Sequence, residues 1–525
     1  MTVISVADHG ATGDGETLDT DAIQSAIDAC AESGGGTVRV PAGEYRTGTI
    51  ELRDHVTLDL EAGATIRGST DLDDYRTAGG PYKTLIAAID AEDVSVTGNG
   101  TIDGSGTAFM DMDAVIDPHD DPAIDTFEQD TRQGDRFLSP DHGTEDGPVE
   151  PLERPQRLLL FYGCTNVRVD GVTIRESPHW TLHLLGCEHV DVHGVDIHNE
   201  ISIPNSDGIN PECSENVHIS DCTVVTGDDA ICPKASDEYD VSGPLENLTV
   251  TNCILVSRSS AIKFGSGTGH DMRDCTFSNI VVRSSNRGLG IQHRDAGTVE
   301  DVLFSNITLE TQFHTGNWWG MAEPVYVTSV PRRDGHELGA VRNIRFSDVV
   351  ATGEGGVVIY GSEEATVEDI TFDGVSVTVT ESDKGHAKGG NLDLRPSSAF
   401  VPLFEHDIPG VYARGVTDLT LADVAVDWES PPGYCSNAVE CESFDGVTIE
   451  GFEGRGCNGA AAVALRDGRD ITVRDSRASP GTGTFLAAER TDEERLFLGN
   501  DLSDAETPID GETDFVSAGN RFSTD

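Results

Sequence analysis

The sequence predicts an all-β protein, a single-stranded right-handed parallel β-helix with an N-terminal capping helix. One observation is a short phrase of alternating apolar and polar residues that recurs along the chain, and a second is its spacing of 23 to 31 residues through the middle of the chain. An alternating phrase of five residues is a strand with one buried face. Because no copy can bury that face alone, we expect the copies to stack around a continuous core.

The recurring phrase opens mostly with Asn or Asp, and an aliphatic residue follows. It reads NVRVDGV from Asn166, NVHISDC from Asn216, NLTVTNC from Asn247 and DVLFSNI from Asp301. The second residue recurs in steps of 23, 27, 31, 27 and 27 at Val167, Val190, Val217, Leu248, Cys275 and Val302. The opening Asn and Asp suit turns, where their side chains can bond backbone groups. Leucine-rich repeats are disfavoured, because no LxxLxL phrase with a buried Asn recurs.

Residues 1–36 are predicted to cap the N-terminal end of the solenoid. The stretch TDAIQSAIDACAESGGG predicts a helix with Thr20 as its N-cap, with one apolar face and with glycines at its end. A helix there would cover strand edges that otherwise invite aggregation. The repeats then run nearly to the C-terminus without a break in composition. The prediction is therefore one domain over residues 1–525.

Three insertions interrupt the repeats, at residues 104–158, 310–340 and 380–415. Long loops on a solenoid usually collect on its binding face. The second insertion contains Trp318 and Trp319, which could stack on a sugar ring or simply pack the loop against the solenoid. The insertions are large enough to close one side of a groove, which would favour cleavage from a chain end.

The chain is strongly acidic, with a net charge of −58 from 93 Asp plus Glu and 35 Lys plus Arg in 525 residues. A clear repeat and 37% hydrophobic residues distinguish it from a disordered acidic chain. An acidic, hydrated surface stays soluble in strong salt, because salt screens its self-repulsion, so we expect a halophilic source. The same charge argues against nucleic acid as a partner, since that requires a basic track.

The start of the chain, MTVISVADHGATGDG, has no basic segment, apolar core or cleavage site. No signal peptide is visible, so the expected location is cytoplasmic, although a mature chain that had lost its leader would look the same. No apolar run is long enough for a spanning helix, so no membrane partner is expected. Many of the 11 cysteines fall at repeat positions without zinc spacing, which predicts buried thiols in a reduced core.

Three carboxylates fall on neighbouring repeats, Asp207 in NSDGIN and Asp228 with Asp229 in GDDAI. Asp229, Ser260 and Arg287 each lie 12 residues beyond the second residue of their repeat. Stacked strands are about 4.8 Å apart, so these side chains should form a column along the outer face, with Asp207 on the preceding coil. Paired carboxylates held at fixed spacing are what glycosidic-bond hydrolysis needs.

Four stretches carry a family resemblance: VADHGATGDGETLDTDAIQSAIDACAESGGGTVRVPAGEY, ESPHWTLHLLGCEHV, NSDGIN and CTVVTGDDAICPKAS. With them, nearly the whole chain resembles the polygalacturonase family of glycoside hydrolases, family 28, which are right-handed parallel β-helices that cut pectin backbones with inversion. The family's NxD motif falls on Asn205 and Asp207, and its Gly-Asp-Asp motif on Gly227, Asp228 and Asp229. The resemblance implies that Asp228 is the general acid and that Asp207 and Asp229 activate water.

Two motifs of the family are changed in this chain. The family's Gly-His-Gly motif falls on residues 259–261, where Ser260 replaces the usual His. Its Arg-Ile-Lys motif, which grips a galacturonate carboxylate, falls on residues 290–292 and reads Gly-Ile-Gln. Both changes weaken the case for plain polygalacturonate and make rhamnose-containing oligosaccharides a candidate. The predicted substrate-binding residues are Asn205, Ser260, Lys263, Arg287, Gln292, His293, Arg294 and Trp318.

Two other functions stay open on the sequence alone. A polysaccharide lyase on this scaffold would use a basic residue such as Lys263 or Arg287 to abstract a proton, with Ca²⁺ bound by the acids. A non-catalytic carbohydrate-binding or adhesion solenoid is the other alternative, because a fold does not settle a function. The hydrolase interpretation needs no metal and no cofactor, and its expected partner is an oligo- or polysaccharide. The basic candidates could equally pair with the many acids of the chain.

Overall fold

The computed structural model describes residues 2–78, 82–116, 132, 147–237, 240–511 and 514–522. The chain divides into unit 1, which contains Met1–Ile116, Pro148–Arg258 and His270–Cys275, and unit 2, which contains Asp117–Gly147, Ser259–Gly269 and Thr276–Asp525. The prediction of one domain over residues 1–525 stays a prediction. Most of the predicted first insertion, residues 117–131 and 133–146, lies outside the described residues.

Unit 1 is built from three ladders of parallel strands, in which each strand pairs with its counterpart one coil along. The first ladder contains β1 (Thr2–Ser5), β3 (Gly36–Val40), β6 (Val56–Leu60), β10 (Glu92–Gly98), β15 (Thr165–Asp170), β18 (Glu188–His193), β21 (Glu215–Ser220) and β23 (Leu245–Thr251). The second contains β2 (Asp14–Leu18), β4 (Gly43–Thr47), β7 (Ala64–Gly68), β11 (Thr101–Asp103), β16 (Thr173–Arg175), β19 (Asp196–His198), β22 (Thr223–Thr226) and β24 (Ile254–Ser257). The third contains β5 (Ile50–Leu52), β9 (Lys83–Ile89), β14 (Arg157–Tyr162), β17 (Trp180–Leu185) and β20 (Ile209–Glu212), and β8 (Arg76–Thr77) pairs antiparallel with β9.

The repeat phrase forms the strands of the first ladder in the predicted register. Val190 pairs with Val217, and Val217 pairs with Leu248. All three are at most 1% exposed. Apolar side chains at alternate positions of these strands therefore stack into one interior row, which confirms the prediction made from the spacing of the repeat.

The residue that opens each phrase has a left-handed backbone, as at Asn166 (φ 57°), Asn216 (φ 56°) and Asn247 (φ 57°). Asn and Asp tolerate this conformation better than other residues with a side chain. Their side chains also bond one another across coils, since Asn247 Nδ2 donates to Asn216 Oδ1 at 3.1 Å. The turn function predicted for these residues thus includes a second role, hydrogen bonding to the neighbouring coil.

Helix α1 (Thr20–Glu32) buries Ile23 and Ile27 against the first coil of unit 1. Gln24 covers the outer edge of β5, because its side chain donates to Glu51 O at 2.9 Å and accepts from Glu51 N at 2.8 Å. The predicted N-cap was one residue off: Asp19 occupies the N-cap position. The hydroxyl of Thr20 accepts a hydrogen bond from Gly48 N at 2.8 Å instead of capping the helix.

The described part of the first insertion is a 3₁₀ turn at Gly106–Phe109 and an antiparallel pair, β12 (Met110–Val115) with β13 (Val149–Pro151). Its far end lies against the loop that follows β19, because Val149 N donates to Ser202 O at 2.9 Å. The insertion is therefore attached to the segment that contains the NSDGIN motif.

Unit 2 repeats the same ladder arrangement with longer, bent strands. Its parallel strands are β25 (Ser260–Gly265), the part of β26 (Met272–Ser285) after Cys275, β27 (Arg287–His293), β28 (Val299–Thr311), β29 (Val325–Ser329), β30 (Val341–Gly353), β31 (Val357–Gly361), β32 (Val367–Asp373), β33 (Ser376–Thr380), β36 (Val411–Ala422), β37 (Ala425–Glu429), β38 (Val439–Glu450), β39 (Glu453–Gly454), β40 (Val463–Arg474), β41 (Arg477–Ala478), β42 (Thr482–Leu498), β43 (Asp501–Leu502), β44 (Ala505–Gly511), β45 (Val516–Ala518) and β46 (Arg521–Phe522). The third insertion contains helix α2 (Gly385–Lys388) and the antiparallel pair β34 (Asn391–Asp393) and β35 (Leu403–Glu405).

A row of phenylalanines fills the core of unit 2. Phe277, Phe304, Phe346 and Phe372 occupy the fourth position of successive phrases, and neighbouring rings stack with centroids 5.0, 5.0 and 4.8 Å apart. Each ring is at most 1% exposed. Because Phe304 stacks on both Phe277 and Phe346, the loss of its ring should weaken two coil contacts at once.

We expect Phe304→Ala to lower the free energy of unfolding by about 3–5 kcal/mol, through lost burial and the cavity that remains. Denaturant unfolding followed by circular dichroism measures this. The matched control is Val350→Ala on the neighbouring strand β30, where the side chain is 54% exposed. The free energy of unfolding of this control variant should differ from that of the wild type by no more than about 0.5 kcal/mol. Equal effects in the two variants would contradict the core assignment.

All eleven cysteines are free and buried, as predicted for stacked thiols. Among the described residues, no helix has the length and apolar character needed to cross a membrane.

Candidate active site

The ends of two coils bring Asp207 and Asp229 together in unit 1. Asp207 comes just before β20, and Asp229 comes just before residues that pair with β20 through the bridge Ile209–Ile231. The backbone fixes this register, because Gly208 N donates to Asp229 O at 2.9 Å. The two aspartates therefore lie on neighbouring rungs, as the spacing of the motifs predicted.

The two side chains share one buried cluster. One oxygen of Asp207, one oxygen of Asp229 and Sγ of Cys232 lie within 4.8 Å of one another. Asp207 is 3% exposed and Asp229 is 1% exposed. Asn210 Nδ2 donates to Asp207 Oδ2 at 3.1 Å, and Cys232 Sγ lies 3.5 Å from Asp229 Oδ2. Two carboxylates this close need a compensating positive charge.

Lys234 supplies that charge. Its Nζ lies 3.2 Å from Asp207 Oδ2 and 3.0 Å from Cys232 Sγ. Burial acts to lower the pKa of Lys234, but Cys232, Asp207, Asp229 and Glu212 together raise it above its usual range. The side chain is therefore an ammonium at any physiological pH. Nζ also lies 4.1 Å from the centre of the Trp180 ring, so the cation is held against an aromatic surface.

The cluster of Asp207, Asp229 and Cys232 could also be considered as a metal site. Ca²⁺ prefers six to eight oxygen ligands, and here a thiol takes one of three positions and an ammonium already contacts two of the three groups. A divalent cation would have to displace the Lys234 ammonium. These residues do not fit Ca²⁺, which weakens the lyase alternative.

Asp228 is placed on the same loop but in different surroundings. Its side chain is partly exposed, whereas Asp207 and Asp229 are buried. Its Oδ2 accepts from Asn205 N at 3.1 Å and its Oδ1 accepts from Asp229 N at 2.9 Å. The Asp228 carboxylate thus links the NxD motif to the Gly-Asp-Asp motif, and it is the one of the three that solvent reaches.

Arg154, which the sequence analysis missed, holds the loop that contains Asn205. Its guanidinium donates to Pro178 O at 2.7 Å, to Pro204 O at 2.8 Å and to Asn205 Oδ1 at 3.1 Å. Burial lowers the pKa of Arg154 to about 10, and Asp228 and Asp207 oppose that shift, so the group stays charged at neutral pH. Asn205, predicted to contact substrate, is bonded here to Arg154 and to Asp228.

A second buried network, formed by Arg157, His183 and Glu212, contacts Trp180. Arg157 Nε donates to His183 Nδ1 at 3.0 Å, so the remaining ring nitrogen of His183 donates to Glu212 Oε2 at 2.9 Å. This neutral tautomer agrees with burial, which lowers the pKa of His183 to about 4. Arg157 Cζ lies 3.9 Å from the Trp180 ring centre, so two cations, Arg157 and Lys234, contact one indole.

The remaining predicted binding residues lie in unit 2. Ser260 pairs in register with Arg287, as the column predicted. Their side chains are 1% and 2% exposed rather than on an open face. Lys263, on the same strand as Ser260, is 9% exposed. Arg287 donates from Nε to Glu323 Oε2 at 3.1 Å and from Nη2 to Asp393 O at 2.8 Å, which matches the alternative that it pairs with an acid.

Gln292, His293 and Arg294 are fully buried. Gln292 Nε2 donates to Arg395 O, and Arg294 donates to Leu394 O at 3.1 Å. His293 bonds Ser329 Oγ at 2.9 Å and Gly297 O at 2.7 Å. Gln292 and Arg294 therefore fasten the segment at 394–396 to the end of β27, whereas His293 bonds other segments. A contact between any of them and substrate stays a prediction.

Trp318 corrects the expectation of an open aromatic platform. It is 4% exposed. Its carbonyl accepts hydrogen bonds from Lys388 Nζ and Arg395 Nη2, both at 3.2 Å. The side chain packs the second insertion within unit 2, which is the other interpretation that the sequence allowed.

Comparison with known proteins places these observations in a family. The family model described as Glycosyl hydrolases family 28 matches residues 133–391, and one described as Rhamnogalacturonase A/epimerase, pectate lyase-like matches residues 3–74. The chain is 29% identical over 473 residues to a probable polygalacturonase of Vitis vinifera, and the aligned region covers 85% of each chain. It is 29% identical over 340 residues to the exo-poly-alpha-D-galacturonosidase of Dickeya chrysanthemi, which covers 59% of this chain and 55% of that protein. It is 26% identical over 390 residues to a probable rhamnogalacturonase A of Aspergillus oryzae, which covers 72% of this chain and 70% of that protein.

Solved structures confirm the fold. An exopolygalacturonase from Thermotoga maritima superposes with a TM-score of 0.60 at 22% identity over 81% of this chain and 92% of that chain. A family 28 exopolygalacturonase from Yersinia enterocolitica gives a TM-score of 0.59 at 21% identity over 90% of this chain and 78% of that chain. At these identities the likeness concerns architecture alone, and it agrees with the predicted right-handed parallel β-helix.

Proposed function

Because the chain belongs to glycosyl hydrolase family 28 and is a glycosidase, we propose that it hydrolyses pectic oligosaccharides that contain galacturonate or rhamnogalacturonate, with inversion. One observation carries this proposal: Asp207 and Asp229 lie together on neighbouring rungs, with the Lys234 ammonium bonded to Asp207, and Asp228 is fixed on the same loop by two backbone amides. The polygalacturonase, exo-galacturonosidase and rhamnogalacturonase names of the relatives support the substrate class.

In the proposed reaction, Asp228 gives its proton to the glycosidic oxygen as the bond from that oxygen to the anomeric carbon breaks. A water held by Asp207 and Asp229 attacks the same carbon from the opposite face and passes its proton to the carboxylate pair. One water is consumed, and a reducing end is formed with inverted configuration. The carboxyl groups of an inverting enzyme stand roughly 6.5–9.5 Å apart, and this spacing between Asp228 and the pair stays a prediction.

The first insertion supports cleavage from a chain end. Val149 N donates to Ser202 O, and Arg154 holds Pro204 and Asn205, so the end of the insertion is attached directly beside the loop with Asp207. A wall at this position would block passage of a polymer along the coils on one side of the acids. We therefore propose exo action.

The reaction class is tested on oligogalacturonides and rhamnogalacturonan oligomers. We expect reducing ends to accumulate without the ultraviolet absorbance of an unsaturated sugar, because no proton is eliminated. Addition of a chelator should leave the rate unchanged, because Lys234 supplies the charge that a metal would supply. An ultraviolet-absorbing product with a Ca²⁺ requirement would indicate the lyase, and binding without turnover would indicate the non-catalytic solenoid.

The mode of action is tested by product size against time on an oligomer of defined length. Steady release of monosaccharide is expected, since the proposed wall at residues 149–154 would leave room for only a chain end. Nuclear magnetic resonance of the first product formed would also report its anomeric configuration. Mixed products of intermediate length at early times would contradict exo action without affecting the assignment as a hydrolase.

A further inference from the structure

A stack of charged residues with three arginines crosses the second ladder of unit 1. Arg46 pairs in register with Arg67, Arg67 with Asp103, and Asp103 with Arg175. Side chains in register on neighbouring parallel strands lie about 4.8 Å apart, so these four groups form one continuous row. In a chain with 35 Lys plus Arg against 93 Asp plus Glu, three arginines in one row of four are a notable concentration of positive charge.

Two of these arginines have acidic partners and one does not. Arg175 Nε donates to Asp103 Oδ2 at 2.8 Å, and Arg67 pairs with Glu44 and donates to Gly15 O at 2.7 Å. Arg46 Nε is buried, and it has no hydrogen-bond partner among the described residues. Nor does any described carboxylate form an ion pair with Arg46 within 4.0 Å. The Arg46 guanidinium is therefore unmatched within this part of the chain.

Arg46 lines a surface cleft of about 650 Å³, which is within the usual size of a site for a small ligand. The described first part of the insertion forms one side of the cleft through Ser105, Thr107 and Ala108. Glu16 and Glu176 also line it. Asp103 lines it too, but that carboxylate is already neutralised by Arg175.

This mixture of groups selects one ligand chemistry. A planar carboxylate matches the two-pronged donor of Arg46, whereas a neutral sugar would leave that charge unmatched. Glu16 and Glu176 can accept hydrogen bonds from hydroxyls, but they would repel sulfate, an anion that has no hydroxyls to donate. A bare metal cation would be repelled by Arg46. A ligand with one carboxylate and several hydroxyls, a uronate sugar, satisfies every group.

The second ladder, which contains this row, leads towards the acids, because its strand β22 ends just before the Gly-Asp-Asp motif. Arg175 pairs with His198 and His198 with Val225, which is three residues before Asp228. Arg46 is thus five rungs, or about 24 Å, from the strand that leads into Asp228. Between them, residues 105–108 line the cleft and residues 149–154 contact the loop at 202–205.

We propose that this cleft is a second, non-catalytic binding site for a uronate-containing saccharide, with Arg46 as the residue that binds the carboxylate. The choice of saccharide rests on the proposed function, because a substrate with many uronates offers the enzyme several attachment points. A polymer segment bound at the cleft would stay outside the active site and would hold the rest of the polymer near it.

The test uses the Asp228→Asn variant, in which trigalacturonate should persist during a titration. Isothermal calorimetry with trigalacturonate should show two binding events in this background. Adding Arg46→Ala should remove one event or weaken it by about tenfold or more, the scale expected when a charged hydrogen bond is lost. Ala108→Trp tests the same cleft by filling it, and because Ala108 is exposed this change does not depend on a buried side chain.

Arg39→Ala is the matched control, because Arg39 is 48% exposed on the first ladder and pairs with Glu61. It should keep both events. Maltotriose supplies only hydroxyls and sulfate supplies only negative charge, so neither should bind at the cleft. A single trigalacturonate event in every variant, or equal binding of sulfate, would overturn the proposal. If the wild-type chain releases no reducing ends while the Arg46-dependent event persists, the proposed function fails and the second site stands.

Discussion

The Asp228→Asn variant should hydrolyse natural pectic oligosaccharides at least about 10²–10⁴-fold more slowly than the wild type, which is the usual contribution of a general acid. An amide cannot give a proton to the departing sugar oxygen. The loss should appear in kcat, because binding of the ground state does not require that proton. Initial rates of reducing-end release measure it.

A substrate with a good leaving group separates the acid role of Asp228 from a structural one. A nitrophenyl uronide needs little protonation, so the variant should lose far less activity on it. This control matters because both oxygens of Asp228 accept backbone N–H donors, from Asn205 and Asp229, and Asn can replace only one of these acceptors. Equal losses on both substrates would point to a disordered loop, and full activity on both would remove Asp228 from the acid role.

The fold was predictable because a solenoid repeats one local rule. Most coils place an Asn or Asp at a left-handed turn and an apolar pair inside, so a single sequence shows the pattern many times. The neighbouring positions of Asp207 and Asp229 follow from the same arithmetic, since equal offsets within successive coils give stacked side chains. The helix also followed from local pattern, but its N-cap depended on a contact between Thr20 and Gly48 that local pattern does not contain.

The surroundings of the acids were less predictable, because they depend on contacts between distant parts of the chain. Arg154 lies in an irregular insertion and reaches Asn205, 51 residues later. Arg294 and Arg395 O are 101 residues apart, so the burial of Arg294 by the third insertion had no local signal. Lys234 did offer a local signal: it is one of few lysines in the chain, and it lies two residues after Cys232, shortly after GDDAI.

The contrast between the two sets of arginines shows why charge type alone does not identify a binding residue. Arg287 and Arg294 lie close in sequence to the positions of the family's Arg-Ile-Lys motif, yet their donors are bonded to Glu323 and to backbone carbonyls. Arg46 falls in no motif, and its Nε has no partner among the residues that the structure describes. A saccharide carboxylate competes for a guanidinium only where the protein has not already satisfied it.

We expect Lys234→Met to lower kcat at pH 7 by about 10²-fold or more, because the base pair loses the charge that allows both carboxylates to ionise. Asp207 and Asp229 have oxygens within 4.8 Å of each other, so without the ammonium they should share a proton. A pair that shares one proton is a weaker base toward water than a fully ionised pair. The acidic limb of the kcat profile should therefore move to higher pH, and part of the activity should return in alkaline buffer.

In the wild type, the raised pKa of Lys234 determines how its contribution to folding stability changes with pH. Burial opposes the charge, and the surrounding Cys232, Asp207, Asp229 and Glu212 outweigh it. A raised pKa means that the stabilisation is complete below the pKa of an unfolded lysine, about 10.4, and is lost only as pH rises through the folded value. Between about pH 5 and 9, Lys234 stays charged, so a shift of the acidic limb in the variant cannot come from titration of this lysine.

Two further variants decide between charge and packing as the contribution of Lys234. Lys234→Arg keeps a cation beside Asp207 and should retain the acidic limb near its wild-type position even if the larger side chain lowers kcat. Lys83→Met removes a lysine whose Nζ bonds Leu72 O at 2.9 Å, away from the acids, and should change neither the acidic limb nor kcat.

Removal of one partner from a buried charge cluster also costs about 3–5 kcal/mol, so thermal unfolding must show that Lys234→Met is folded at the assay temperature. A folded Lys234→Met variant with a reduced kcat and an unshifted pH profile would show that Lys234 only packs against Trp180 and does not set the charge of the base pair.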